Sequence, residues 1–437
     1  MATTYLTRAA SGSVTSSTTF TFSFWLKRGT LGSLQFPFIH ENASSHAQKL
    51  GLNFESTDKL RMSWYNGSSE YNLDTKMVFR DTSAWYHIVF RYDTTQSTDT
   101  DRVRIYVNGE LQAITNIGGG SPTYPAEDAT MNLGQKILCV GRYQASSPNY
   151  YFDGSLSHFY YCDGQSYGAD TFGSTDATTG EWKINTSPTV TYGTNGFLIL
   201  KDGNSVTNQA GNSSGNFSVS GGTLTNTEDC PSDVFCTLNP LIPTGDLTFS
   251  AGNTKMVSGS SGLTGGGIGT IGVNKGKFYW EVKIASLVQN HCNGVISELT
   301  TELNDNVAGL SHDVGATVFR NDDGGEMVKD GTETTADYGL FTAGQIMGIA
   351  LNADDYEISI YRNGSAIVTD YALSTTRGTL FPYLGSGIST TWEANFGNGY
   401  FGTTQISSEG INASNIGKFE YDVPTGYTAL SLKGINS

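Results

Sequence analysis

Apolar and polar residues alternate at a spacing of two through many short segments of this chain, and these segments stop at Gly, Asn or Asp. A spacing of two sends alternate side chains to opposite faces of an extended strand, whereas a helix needs a spacing near 3.6. No stretch sustains the helical spacing between caps, so the sequence predicts an all-β protein. In the first third the predicted strands are 19–27, 49–54, 59–65, 85–93 and 102–108. In the last of these Val103, Ile105 and Val107 point one way and Arg102, Arg104 and Tyr106 the other. Asn108-Gly109 then supplies the left-handed residues of a tight hairpin, so one face is core and one is wet.

The pattern lapses over residues 186–245, where Gly, Ser, Asn and Thr crowd around sparse apolar positions such as Phe197, Leu198 and Leu200. This segment reads as a connector packing between domains. From Leu247 the strands resume, at 277–284, 345–351, 357–361 closed by Asn363-Gly364, and 380–384. With 437 residues there is material for two or three domains, each with its own core. Short strands with Gly and Asn turns favour two antiparallel β-sandwich domains, one over 1–185 and one over 246–437.

Composition narrows the function. Charged residues are 15%, against roughly 25% in an average soluble protein, so Ser, Thr, Asn and the 53 glycines supply most of the polar surface. The net charge of −16 repels a phosphate backbone, which disfavours direct nucleic-acid binding. No run approaches the roughly 20 apolar residues of a membrane-spanning helix, and no membrane insertion is expected. The start, MATTYLTRAASGSVTSSTTF, has no apolar run behind a basic end, so a secretory leader is not expected and folding in a cytoplasm is. Cys139, Cys162, Cys230, Cys236 and Cys292 form an odd set with no CxxC, which reads as reduced and mostly buried.

The order TFSFWLKRG, AWYHIVFRYD, RVRIYVNGELQ, YFDGSLSHFYYCDGQ resembles the laminin-G-like, concanavalin A-like jelly roll over roughly residues 1–185. The stretches TFGSTDATTGEWK, YGTNGFLIL and DVFCTLNPL are similar to a connector in virion proteins of tailed bacteriophages. GKFYWEVKI, GLSHDVG, FTAGQIMGIALNADDYEISIYRNG, LFPYL, NFGN and FEYDVPTGYTALS resemble SPRY. Asp354-Asp355 departs from the Gly-containing turn that a SPRY domain often has there. The resemblance implies a non-enzymatic phage virion surface protein, folded in the host cytoplasm and displayed on the virion. Its expected partners are other virion structural proteins and host surface glycan, and its expected assembly is a homo-oligomer such as a trimer. Tail fibre or appendage adhesin is the preferred setting. A capsid decoration protein with a purely structural role and a polysaccharide depolymerase are the alternatives.

Reactive clusters are sparse. Gly267-Ile268-Gly269-Thr270-Ile271-Gly272 spells GxGxxG but leads into a strand rather than a helix, so a flexible loop is the reading. A glycosidase needs two carboxylates across the sugar bond. Asp355 with Glu357, and Glu298 with Glu302, read instead as solvated pairs. The six histidines show neither HxH nor HxxxH, and no serine lies in GxSxG, so no catalytic residue, cofactor or metal site is assigned. Whether Asp322, Asp323 and Glu326 hold calcium is open, since they miss the DxDxDG pattern.

Aromatics carry the binding expectation, because Trp and Tyr stack on sugar faces and anchor protein partners at low entropy cost. Trp25, Trp85 and Trp280 alternate with apolar neighbours and are expected in the core. Tyr143, Tyr150 and Tyr151 flank the turn-rich run QASSPN, and Trp64-Tyr65 abuts Asn66-Gly67. These five are the candidate ligand-binding residues.

Overall fold

The computed structural model describes residues 3–9, 12–42, 45–65, 69–131, 133–135, 137–143, 150–201, 203, 205–242, 246–260, 265–287, 291–300, 314–322, 324–374 and 378–437. The chain divides into two compact units, Met1–Asn226 and Thr227–Ser437. Each is built from two main sheets, and the strand expectations hold to within a few residues: Thr19–Arg28, Lys59–Tyr65, Tyr86–Asp93, Val103–Val107, Lys277–Ser286, Ile346–Asn352 and Glu357–Arg362.

In the first unit an eight-stranded sheet runs in the order Ile114–Asn116, Glu70–Val78, Lys59–Tyr65, Ser45–Phe54, Gln35–Asn42, Ile137–Val140, Tyr5–Arg8, Ser218–Ser220. A six-stranded sheet runs Phe197–Ile199, Gly154–Asp163, Thr19–Arg28, Tyr86–Asp93, Val103–Val107, Glu110–Leu111. Alternation supplies the core between them. Phe20, Phe22, Phe24 and Leu26 meet Phe38, Leu50, Leu52 and Met62. The ring of Phe22 stacks on Phe38 at 4.7 Å and on Tyr161 at 4.4 Å. Asn108 and Gly109 take φ of +47° and +85°, the left-handed pair that a tight hairpin demands.

The segment expected as a connector is divided at Asn226 between the units, and its first part is sheet and core of unit 1. Phe197–Ile199 pairs with Gly154–Asp163, and Ser218–Ser220 pairs with Tyr5–Arg8. Sparse apolar residues suffice here because each is placed. Phe197 and Phe217 flank the buried guanidinium of Arg8 at 4.7 and 5.4 Å. Arg8 Nη2 donates to both oxygens of Asn195, at 3.0 and 2.9 Å.

A second apolar layer lies on the outer face of the six-stranded sheet, where Val89, Tyr160, Cys162 and Leu198 pack with Phe172, Trp182 and Tyr192. Residues 167–192 therefore cover that face. Trp25, expected in the core, is buried at 4% exposure in this outer layer, with its ring stacked on His87 at 4.8 Å.

The second unit has an eight-stranded sheet ordered Leu247–Ser250, Lys255–Ser258, Thr391–Asn395, Lys277–Ser286, Ile346–Asn352, Glu357–Arg362, Ser365–Ala372. Thr428–Ala429 joins it in parallel beside Lys277–Ser286. The facing sheet runs Gly266–Ile268, Leu380–Ser386, His291–Ser297, Ala316–Arg320, Glu326–Lys329, Thr332–Glu333. Trp280, Val282, Ile284, Ile349, Ile358, Ile360 and Trp392 build the core. The GxGxxG stretch corrects its expectation, since it holds the strand Gly266–Ile268 paired with Leu380–Ser386. Its glycines permit close packing: a Cβ at Gly267, Gly269 or Gly272 would stand 2.9 Å from Met256, 2.7 Å from Pro382 or 2.5 Å from Phe381.

Charge is shared unequally. The first unit holds 15 Lys and Arg against 18 Asp and Glu, a net −3, and the second holds 10 against 23, a net −13.

Candidate functional site

The expected aromatic residues separate into three groups. Trp64 is buried at 1% exposure, and its ring stacks on Tyr71 at 4.6 Å. This corrects its place among the binding residues. Trp64 shares a strand face with Leu60 and Met62, and that face looks into the core. Tyr65, one residue on, points outward and is half-buried. The Asn66-Gly67 pair beside it lies outside the described residues, as does the QASSPN run between Tyr143 and Tyr150.

Tyr143, Tyr150 and Tyr151 do come together, on the outer face of the eight-stranded sheet. Residues 141–143 run beside 150–152. Tyr143 N donates to Tyr150 O at 3.2 Å and Phe152 N to Gly141 O at 2.9 Å, while Arg142 and Tyr151 form a bridge. This pairing carries Tyr143 and Tyr150 over Phe36, at ring separations of 4.8 and 6.2 Å. Phe36 faces outward because the register shifts between Gln35 and Phe38, which puts it on the same side as Ile39 and Cys139.

Beside these rings the Arg142 guanidinium lies 4.8 Å from the centre of Tyr5 and 5.4 Å from that of Tyr151. Tyr5 and Tyr151 are themselves 6.2 Å apart and tilted by 52°. The result is a platform of five rings and one guanidinium, with all four tyrosines half-buried. Tyr5, Phe36 and Arg142 were not expected from the sequence. The bulge hides Phe36, and the other two join only through the sheet.

Tyr65 does not belong to this platform. It pairs with Lys49, whereas Gln35 pairs with Phe54, so Tyr65 and Phe36 lie toward opposite ends of their strands, roughly 15 Å apart along the sheet. Between them the outer face is polar and its charges are paired. Arg61 donates to both oxygens of Asp74 at 2.6 and 3.0 Å and pairs with Glu55 at 2.8 Å. Lys49 pairs with Glu70 at 3.0 Å, and Ser63 Oγ donates to Asn72 at 2.6 Å.

Among the described residues no three His, Cys, Asp or Glu side chains gather as a metal-holding group. Glu326 pairs with Arg320 at 2.9 Å, and Asp323 lies outside the described residues. Asp355 is exposed and accepts from Asn352 at 2.8 Å, and Glu302, like Asp323, lies outside the described residues.

Residues 2–164 match the family profile of the concanavalin A-like lectin/glucanases superfamily, and residues 277–399 match that of the SPRY domain. The chain carries a concanavalin A-like domain and a SPRY domain. Solved structures similar to parts of it include three. The SPRY domain of human HERC1 is 21% identical, with a TM-score of 0.26, over 32% of this chain and 87% of that one. The TRIM65 PSpry domain is 12% identical, with a TM-score of 0.31, over 36% and 87%. A heptameric SAP-like pentraxin from Limulus polyphemus is 12% identical, with a TM-score of 0.28, over 43% and 88%. No curated protein sequence matches the chain. The two domain types point to binding or adhesion.

Proposed function

We propose that this chain is a non-enzymatic bacteriophage virion surface protein, a tail-fibre or appendage adhesin, whose concanavalin A-like domain binds host surface glycan through the Tyr143 platform. The observation that carries this reading is the group of Tyr5, Phe36, Tyr143, Tyr150, Tyr151 and Arg142 on a sheet face. Half-buried tyrosines offer flat apolar area with little side-chain entropy left to lose, and a sugar ring presents a matching apolar face. The adjoining polar residues supply hydrogen bonds, while their paired charges leave the face nearly neutral. The virion setting is supported by the resemblance of TFGSTDATTGEWK, YGTNGFLIL and DVFCTLNPL to phage connector segments. Single sites of this kind are weak, and repeated display on a particle raises avidity without new contacts.

The test is a glycan array probed with the full chain and with the double variant Tyr143→Ala/Tyr150→Ala. Retention of a specific glycan by the natural chain, with at least tenfold weaker retention by a folded variant, supports the reading. Retention by neighbouring virion proteins in place of any glycan moves the site to assembly. Release of reducing ends from host polysaccharide, lost on changing one carboxylate, makes the protein a depolymerase.

A further inference from the structure

A carboxylate sits under the C-terminal segment of the second unit. Glu281 lies in the middle of Lys277–Ser286, with its side chain on the outer side of the sheet, and it is 0% exposed. Four donors converge on it. Oε1 accepts from Tyr421 N at 2.9 Å and from the Tyr279 hydroxyl at 3.3 Å. Oε2 accepts from Glu420 N at 2.9 Å and from Asn395 Nδ2 at 3.3 Å. Two of the four are backbone amides of one covering segment. Around them Phe235, Phe419, Val423 and Ala429 pack on Tyr279 and Ala350, so the Glu281 carboxyl is the polar centre of an apolar cover.

No cation neutralises it among the described residues. On its own strand Lys283 extends over the Phe401 ring at 5.9 Å, and Tyr279 is the hydroxyl partner. On Thr391–Asn395 the acidic neighbour Glu393 is paired with Lys255 at 2.8 Å, and Asn395 is neutral. The neighbouring position on Ile346–Asn352 is Gly348, and from Glu357–Arg362 Tyr361 faces Tyr279. From the cover come the Tyr421 phenol, the Glu420 carboxylate, which binds Ser407, and Lys418, which pairs with Glu228 at 2.8 Å.

We propose that Glu281 is a proton-operated clasp: with the carboxyl neutral it holds residues 418–422 against the sheet, and on ionising it favours release of that cover. A carboxylate without a cation gains from reaching water, and it can do so only if the segment above it lifts. Burial pushes the Glu281 carboxyl up to about 7, outweighing the four hydrogen bonds that pull the other way. In the neutral form the proton has an acceptor, since the Tyr279 hydroxyl can turn its lone pair toward Oε1. The closed state therefore binds the proton more tightly than the open one, in which the carboxyl returns toward its ordinary 4.5. By linkage the opening equilibrium grows about tenfold from pH 6 to pH 8. Release uncovers the apolar face around Tyr279, Ala350 and Tyr361.

The test is amide hydrogen exchange at Glu420 and Tyr421 in the full chain, corrected for intrinsic rates. Protection falling about tenfold between pH 6 and 8, and no such fall in Glu281→Gln, supports the clasp. PH-independent protection in the natural chain, or the same fall in the variant, overturns it. If Glu281→Gln fails to fold, the carboxyl carbon of Glu281 is followed by NMR in the natural protein. A midpoint near 7 supports the clasp, and one near 4.5 overturns it.

Discussion

Both units cover the outer face of one sheet with a later piece of chain, and each fixes that cover through a buried titratable group of opposite kind. In the first unit the group is a base. His87 Nδ1 accepts from Trp182 Nε1 at 3.0 Å, which makes Nε2 the protonated nitrogen and the donor to Ser23 Oγ at 2.9 Å. The Trp182 ring fits against glycines: a Cβ at Gly109 or Gly173 would approach it to 2.5 or 2.7 Å. In the second unit the group is the acid Glu281, holding the amides of Glu420 and Tyr421. Burial favours the neutral form of either, so it lowers His87 to about 3, with His158 adding to the shift, and raises Glu281 to about 7. One structural solution thus gives two covers with opposite responses to protons.

The largest effect expected is from Trp182→Ala, which empties the slot and strands His87 Nδ1. Unit 1 should lose about 2–3 kcal/mol in denaturant unfolding, with the transition of unit 2 unmoved. Acid should act next. The folded state holds His87 neutral between its ordinary 6.5 and about 3, so the stability this group contributes is present above 6.5 and is lost as pH falls toward 3. Exchange at the amides of Trp182–Ile184 should accelerate roughly fiftyfold from pH 6.5 to 4.5, and His87→Gln should remove that dependence. The Glu281 cover should respond less and in the other direction. Acceleration of both covers by acid would break the comparison. The smallest effect is expected from Lys183→Met, which removes the exposed pair with Asp176 at 2.7 Å in the same hairpin as Trp182. Its melting temperature should match that of the natural chain, because solvent screens such pairs.

The sheets were legible in the sequence because alternation is a local signal. Lys59–Tyr65 is legible to its ends, and its parity places Trp64 with Leu60 and Met62 on the buried side. The Asn66-Gly67 pair that follows is a local turn signal and says nothing about which face Trp64 takes. The three tyrosines around 144–149 were legible because they flank QASSPN, a run rich in turn-forming residue types. Their companions were not: Phe36 faces out through a bulge, and Tyr5 and Arg142 meet Tyr151 only across strand pairs. The covers were hidden for the same reason. His87 and Trp182 are 95 residues apart, and Glu281 and Tyr421 are 140 apart. Residues 186–226 looked like a linker because few of their side chains are apolar, yet Phe197, Ile199 and Phe217 enter the core.

The comparison also isolates the proposed site. One outer face of unit 1 lies under residues 167–192, whereas the other presents the Tyr143 platform and its half-buried polar neighbours. The most direct measurement is therefore glycan retention by the full chain, set beside retention by folded Tyr143→Ala/Tyr150→Ala and folded Trp182→Ala. The account predicts that the first variant loses at least tenfold in affinity and the second binds as the natural chain does. Loss through Trp182→Ala alone, with the tyrosine variant unaffected, would contradict it.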